Sequence, residues 1–148
     1  MTTQVTVTTG ARLHFGPLAA AGSGGGKFGG VGMMISAPGY VVTARPAERD
    51  SFVGDEVSVA RVAEFVRRIR VASPGETMAT SYEIAVREAI PSHSGLGSGT
   101  QLGLAVARAL SELFGERDVS VETLARRGGV ACLILNEVGC HAHGFAWA

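Results

Sequence analysis

Apolar and polar residues alternate along this chain with two different periods, and each change of period marks an element. Val5 and Val7 alternate with threonines, then Ala11, Leu13 and Phe15 alternate with Arg12 and His14. A period of two predicts half-buried strands and puts Arg12 and His14 on one face. MMIS and YVVTAR predict two further short strands, separated by the turn Ala37-Pro38-Gly39. From Glu56 to Arg70 the period lengthens. Val59, Val62, Ala63, Val66 and Ile69 fall at helical spacing, and Arg61, Glu64, Arg67, Arg68 and Arg70 cover the rest, so these arginines are expected on a solvated face. Ser73-Pro74-Gly75 breaks the pattern, and TSYEIAVREAI then predicts a strand with Tyr82, Ile84 and Val86 on one side, ending at Pro91. In the strongest helix, Leu102, Ala105, Val106, Ala109, Leu110 and Leu113 share one stripe, with Gly115 as the left-handed stop. A shorter helix is predicted from a Ser120 cap to Arg127, ended by Gly128-Gly129. Residues 16–32, GPLAAAGSGGGKFGGVG, show neither period and are expected to form a long flexible connection.

Length and composition narrow the function classes. A chain of 148 residues with 46% hydrophobic content suffices for one compact domain. Thirteen Lys and Arg balance thirteen Asp and Glu, so no global charge favours nucleic acid, and any charge-driven site must be local. No apolar run approaches the roughly 18 residues of a membrane span, and MTTQVTVTTG lacks a basic segment followed by an apolar one. A cytoplasmic protein with no membrane partner is expected. Cys132 and Cys140 are too few for a disulfide framework and fit a reducing compartment. Together with His141 and His143 they lack the paired spacing of a structural zinc site.

The chemistry concentrates in PSHSGLGSGTQ, between a predicted strand and the strongest helix. A helix start leaves its first four N–H groups unpaired and gathers about half a positive charge, so anions settle there. Glycines at 95, 97 and 99 let a phosphate approach the backbone, while Ser94, Ser98 and Thr100 offer hydroxyls and a magnesium contact at Ser98. A plain helix cap needs one Ser or Thr and not three spaced glycines, which favours phosphate binding. The P-loop pattern fails at Gly26-Lys27, because Ala21 stands where its first glycine belongs and Phe28 where its hydroxyl belongs. Gly24, Gly26 and Gly29 satisfy G-x-G-x-x-G, but no helix follows and no H-R-D or D-F-G appears, so that match carries no function. His93 is read as an exposed loop histidine.

Strand, Pro91-Ser92-His93-Ser94-Gly95-Leu96-Gly97-Ser98-Gly99-Thr100 and apolar helix together resemble the second motif of the GHMP kinase superfamily. More narrowly, Ala11-Arg12-Leu13-His14-Phe15-Gly16, Lys27-Phe28-Gly29-Gly30-Val31-Gly32 and Gly95 to Gln101 resemble the family of beta-ribofuranosylaminobenzene 5'-phosphate synthases. Kinases of the superfamily more often carry Ser-Ser-Ala where this chain has Ser98-Gly99-Thr100. The resemblance implies an α+β fold, the ribosomal protein S5 domain 2-like N-terminal domain, with a mostly antiparallel sheet and helices packed on one face. It covers residues 5 to about 127, so residues 1–127 are expected to be the phosphate-binding domain. Residues 128–148 are expected to be an atypical tail, a truncated or frameshifted start of a second domain. The reaction it implies condenses 5-phosphoribosyl 1-diphosphate with 4-aminobenzoate, releasing diphosphate and carbon dioxide, on the way to tetrahydromethanopterin. The alternatives are an ATP-dependent small-molecule kinase of the same superfamily and an inactive fragment. On this resemblance Arg12 and His14 are the candidate catalytic residues. Pro91, Ser94, Gly95, Leu96, Gly97, Ser98, Gly99, Thr100 and Lys27 are the candidate phosphate ligands. The implied partners are Mg2+, the two small substrates and a second copy in a homodimer.

Overall fold

The computed structural model describes residues 4–19, 28–72, 80–130 and 145–147; the side chains of residue 14, residues 16–19, 28–31 and 145–147 lie outside that description. The strands are β1 (Val5–Thr9), β2 (Ala11–Ala19), β3 (Phe28–Ile35), β4 (Val41–Ala47), β5 (Ser51–Val53), β6 (Ser81–Glu88) and β7 (Phe145–Trp147). The helices are α1 (Glu56–Ala72), α2 (Ser98–Leu113) and α3 (Val121–Gly128).

Five strands form one sheet in the order β5-β6-β4-β1-β7, and β2 and β3 form a separate ribbon. Every described pairing is antiparallel except β5 with β6. Val7 on β1, Val42 and Ala44 on β4 and Tyr82, Ile84 and Val86 on β6 turn one face of the sheet inward, as a period of two demands. Against it lies α2, whose Leu102, Ala105, Val106, Ala109 and Leu110 are at most 1% exposed. Burial reaches further round this helix than the sequence stripe, because α1 and α3 flank it while β1 and β4 lie beneath it. Packing brings the helices close at Gly103, where a Cβ would sit 2.5 Å from Val130 Cγ1 and 3.0 Å from the Phe65 ring. Thus the α+β class, the mostly antiparallel sheet and the helices on one face are all present.

One reading needs correction. Residues 16–19 and 28–32 belong to strands of the β2–β3 ribbon and not to a connection. Main-chain N–H and C=O groups pair whatever side chains they carry, so a glycine-rich strand has no apolar period to betray it. Pro17 falls where the register shifts between His14 and Pro17, a position that tolerates a residue without an N–H. Strands β5 and β7, with three residues each, are too short for any period to show. The Ser120 cap stands as expected, accepting a hydrogen bond from the Thr123 N–H at 3.3 Å, and Gly129 ends α3 in the left-handed conformation. The tail residues Cys132, Cys140, His141 and His143 lie outside the described residues. Among the described residues no helix is long and apolar enough to cross a membrane.

Candidate functional site

Strand β6 delivers the chain through buried Ile90 into the loop that precedes α2. Pro91 and Ser94 shape its first turn, with the Ser94 hydroxyl donating to the Pro91 carbonyl at 2.6 Å. His93 is exposed, as expected. Gly97 is the N-cap of α2 in the left-handed conformation, φ 71°, and no side chain caps the helix. The Gln101 N–H bonds back to the Gly97 carbonyl at 3.0 Å, which leaves the amides at 98–100 ahead of the regular ladder. No acidic residue occupies the first turn. A Cβ built on Gly95 or Gly99 would meet nothing within 4 Å, so the space before the helix is open. Free amides, an open approach and no competing carboxylate together suit an anion.

Arg12 joins this loop through backbone and side chain. Its N–H donates to the Leu96 carbonyl at 3.0 Å, stitching the start of β2 to the glycine loop. A Cβ on Gly97 would lie 3.5 Å from Arg12 Cβ, and one on Gly32 would lie 2.7 Å from Arg12 Nε, so the half-buried side chain starts beside Gly97 and crosses Gly32. His14 sits two residues along β2, paired in register with Gly32; its side chain lies outside the described residues, as does all of Lys27. Of the predicted site residues, the structure therefore brings together Arg12 and the loop from Pro91 to Thr100.

One residue of this site escaped the sequence reading. Arg61, expected on a solvated face of α1, is half-buried, and its Nη1 donates to Ser98 Oγ at 3.3 Å. The contact spans 37 residues, and no local pattern encodes it. Beside it lies Tyr40, 1% exposed, whose hydroxyl meets those of Ser98 and Ser58. Burial pushes the Tyr40 phenol above its usual range, and Arg61 draws it part of the way back. Ser98 Oγ, the expected magnesium contact, accepts from the Arg61 guanidinium in this structure. No cluster of three metal-ligating side chains occurs among the described residues.

A separate cleft of about 390 Å³ opens beside Thr8, Pro38 and Val41. Glu88 is its one charged lining residue, which opposes an anionic ligand there. The helix start suits an anion better than this cleft does.

A glycine-lined, uncapped helix start thus sits on a mostly antiparallel α+β domain. Residues 58–145 match the family model described as GHMP kinases N terminal domain, and the chain belongs to that family. The beta-ribofuranosylphenol 5'-phosphate synthase of Archaeoglobus fulgidus is 36% identical over 107 residues, 72% of this chain and 33% of that protein. The protein of the same name from Methanothermobacter thermautotrophicus is 29% identical over 138 residues, 88% of this chain and 42% of that protein. This chain thus spans 33% and 42% of the length of those two relatives. Among solved structures, mevalonate kinase from methicillin-resistant Staphylococcus aureus superposes with a TM-score of 0.59 at 17% identity, covering 86% of this chain and 44% of that one. Homoserine kinase from Cytophaga hutchinsonii gives 0.58 at 18% identity, covering 86% and 40%. Identities this low show a shared fold, and the named relatives are enzymes.

Proposed function

We propose that this chain is the phosphate-holding part of a beta-ribofuranosylarene 5'-phosphate synthase. The observation that carries the reading is the uncapped start of α2, open at Gly99 and joined to Arg12 through Leu96. In the reaction we assign, the aromatic carbon bearing the carboxylate attacks C1 of 5-phosphoribosyl 1-diphosphate. The C1–oxygen bond breaks and its electron pair departs with diphosphate; the ring carbon–carboxylate bond then breaks, its pair returns to the ring and carbon dioxide leaves. Atoms and charge balance without a redox partner.

The chain's own contribution is to hold the anionic leaving group as charge builds on it, through the amides at 98–100 and the Arg12 guanidinium. Donors fixed before the reaction need no reorganisation when the bond breaks, which is what an uncapped helix start supplies. His14, on the same strand as Arg12, is assigned to orienting the aromatic acceptor. The relatives' names contain a phenol where the resemblance suggested an aminobenzene, so the acceptor we assign is a benzoate with an amino or hydroxyl group opposite the carboxylate.

The test supplies Mg2+, 5-phosphoribosyl 1-diphosphate and carboxyl-labelled 4-aminobenzoate or 4-hydroxybenzoate, and measures labelled carbon dioxide. Release with either acid supports the synthase and ranks the two acceptors. ATP hydrolysis that depends on a small alcohol, without decarboxylation, replaces this reading with the kinase. Silence in both, with diphosphate protecting residues 94–100 from hydrogen exchange, marks a chain that binds without turnover.

A further inference from the structure

Six arginines among the described residues are buried or half-buried: Arg12, Arg61, Arg68, Arg70, Arg108 and Arg127. Four of them hold a carboxylate. Arg68 pairs with Glu64, Arg70 with Asp50, Arg108 with Glu112, each at 2.7 Å, and Arg127 pairs with Glu116. Among the described residues, Arg12 and Arg61 have no carboxylate within ion-pair reach, and these are the two that meet the glycine loop, one from β2 and the other from α1. Removing a guanidinium from water without a counter-ion is unfavourable, and the other four of these described arginines each have one. The missing anions are expected from a ligand.

A second orphan lies in the first turn of α2. Gln101 is 5% exposed, and its Oε1 is buried without a hydrogen-bond partner. It stands one turn beyond Gly97, and helix side chains lean toward the N-terminus, so this acceptor belongs to the end of the helix where the arginines gather. Buried carbonyl oxygens ordinarily find a donor, and among the described residues this one has none.

We propose that Arg61 and Arg12 form a two-armed cationic clamp over the amides of α2, which selects an organic diphosphate over a monophosphate. Two guanidiniums reaching in from different elements can engage two anionic centres at once, which a diphosphate offers and a single phosphate seated on the amides does not. Ser98 sets the Arg61 arm, since its hydroxyl holds Nη1 and leaves the remaining guanidinium donors for the ligand. This proposal rests on the reading of the loop as a phosphate site, and the test separates the two.

The test is calorimetric titration of the full chain with sodium pyrophosphate and, separately, inorganic phosphate. The parent protein is expected to bind pyrophosphate about ten-fold or more tightly than phosphate, the size of effect that a charge-assisted hydrogen bond confers. Arg61→Gln should remove most of that preference by weakening pyrophosphate alone. Arg61→Lys, which keeps the charge without the fork, should retain part of it, and it serves where the glutamine variant does not fold. Gly99→Val should weaken both anions. If Arg61→Gln leaves the preference intact while Gly99→Val removes binding, the clamp is wrong and the phosphate loop stands. If the parent protein binds neither anion, both fall.

Discussion

Gly97 and Gly99 stand two residues apart in one loop, yet only Gly99 makes a clean probe of it. Blocking backbone approach with Gly97→Val looks harmless in the sequence. In the fold Gly97 holds φ 71°, a left-handed conformation in which a β-branched residue is strained, so loss of binding there would report damage as well as obstruction. Gly99 lies inside the first turn of α2, and a Cβ there meets nothing within 4 Å. Cβ atoms tilt toward a helix's N-terminus, so the valine methyls of Gly99→Val would stand in the space before the amides. We expect Gly99→Val to weaken pyrophosphate binding at least about ten-fold with unfolding free energy within about 0.5 kcal/mol of the parent. Calorimetry beside urea denaturation checks both halves, and unchanged affinity would remove these amides from the site. Arg12→Ala should also weaken the anion and reduce the salt dependence of what remains, whereas an arginine that only decorates a strand would alter neither.

At the scale of elements, the helices are fixed by close approach and the sheet edge by a buried-side ion pair. Gly103, four residues beyond Gly99 on the same helix, is the opposite case. A side chain there meets Val130 Cγ1 at 2.5 Å and the Phe65 ring at 3.0 Å, both partners from flanking segments. Overpacking costs about 1–3 kcal/mol, so Gly103→Val should destabilise by roughly that much while Gly99→Val does not; equal midpoints in urea would contradict the packing. Asp50 ties three elements together: it accepts from Arg70 Nη1 at 2.7 Å and Nη2 at 2.8 Å near the end of α1, and from the Tyr82 N–H at 3.0 Å in β6, just ahead of β5. These bonds, the Arg70 guanidinium foremost, hold its carboxyl below the ordinary 3.8. A carboxylate depressed in the folded state contributes stability fully above its unfolded value and loses it as pH falls through the folded one. Stability should therefore decline as pH drops below about 4, and Asp50→Asn should lower neutral stability while flattening that acid limb. Denaturant midpoints between pH 7 and pH 3 decide it; an acid limb as steep in Asp50→Asn as in the parent would mean other carboxylates carry it.

For the whole molecule, what could be read from the chain depended on whether a residue's partner is near in sequence. Tyr82, Ile84 and Val86, or Leu102 to Leu113, declare their elements because burial repeats with the element's own period. Gly29, Gly30 and Gly32 declare nothing, since the β2–β3 ladder is made of backbone. The loop's place as a candidate anion site was legible because the glycines, hydroxyls and following helix are contiguous; Arg61 was not, because it reaches that loop only when α1 packs beside α2. That dependence makes ligand binding and global folding one linked equilibrium: the amides of α2, Arg12 of β2 and Arg61 of α1 come together only in the native state, so an anion that bridges them binds the folded chain and not the unfolded one. At about 100 times its dissociation constant such a ligand adds about 2.7 kcal/mol, which for a chain of this size raises the melting midpoint by about 5–10 °C. Pyrophosphate should produce that shift in the parent and lose most of it in Gly99→Val, with equal ionic strength of sodium chloride as the control. A shift of the same size in both proteins would show stabilisation by salt exclusion at the surface, and a site assembled from three elements would have no part in it.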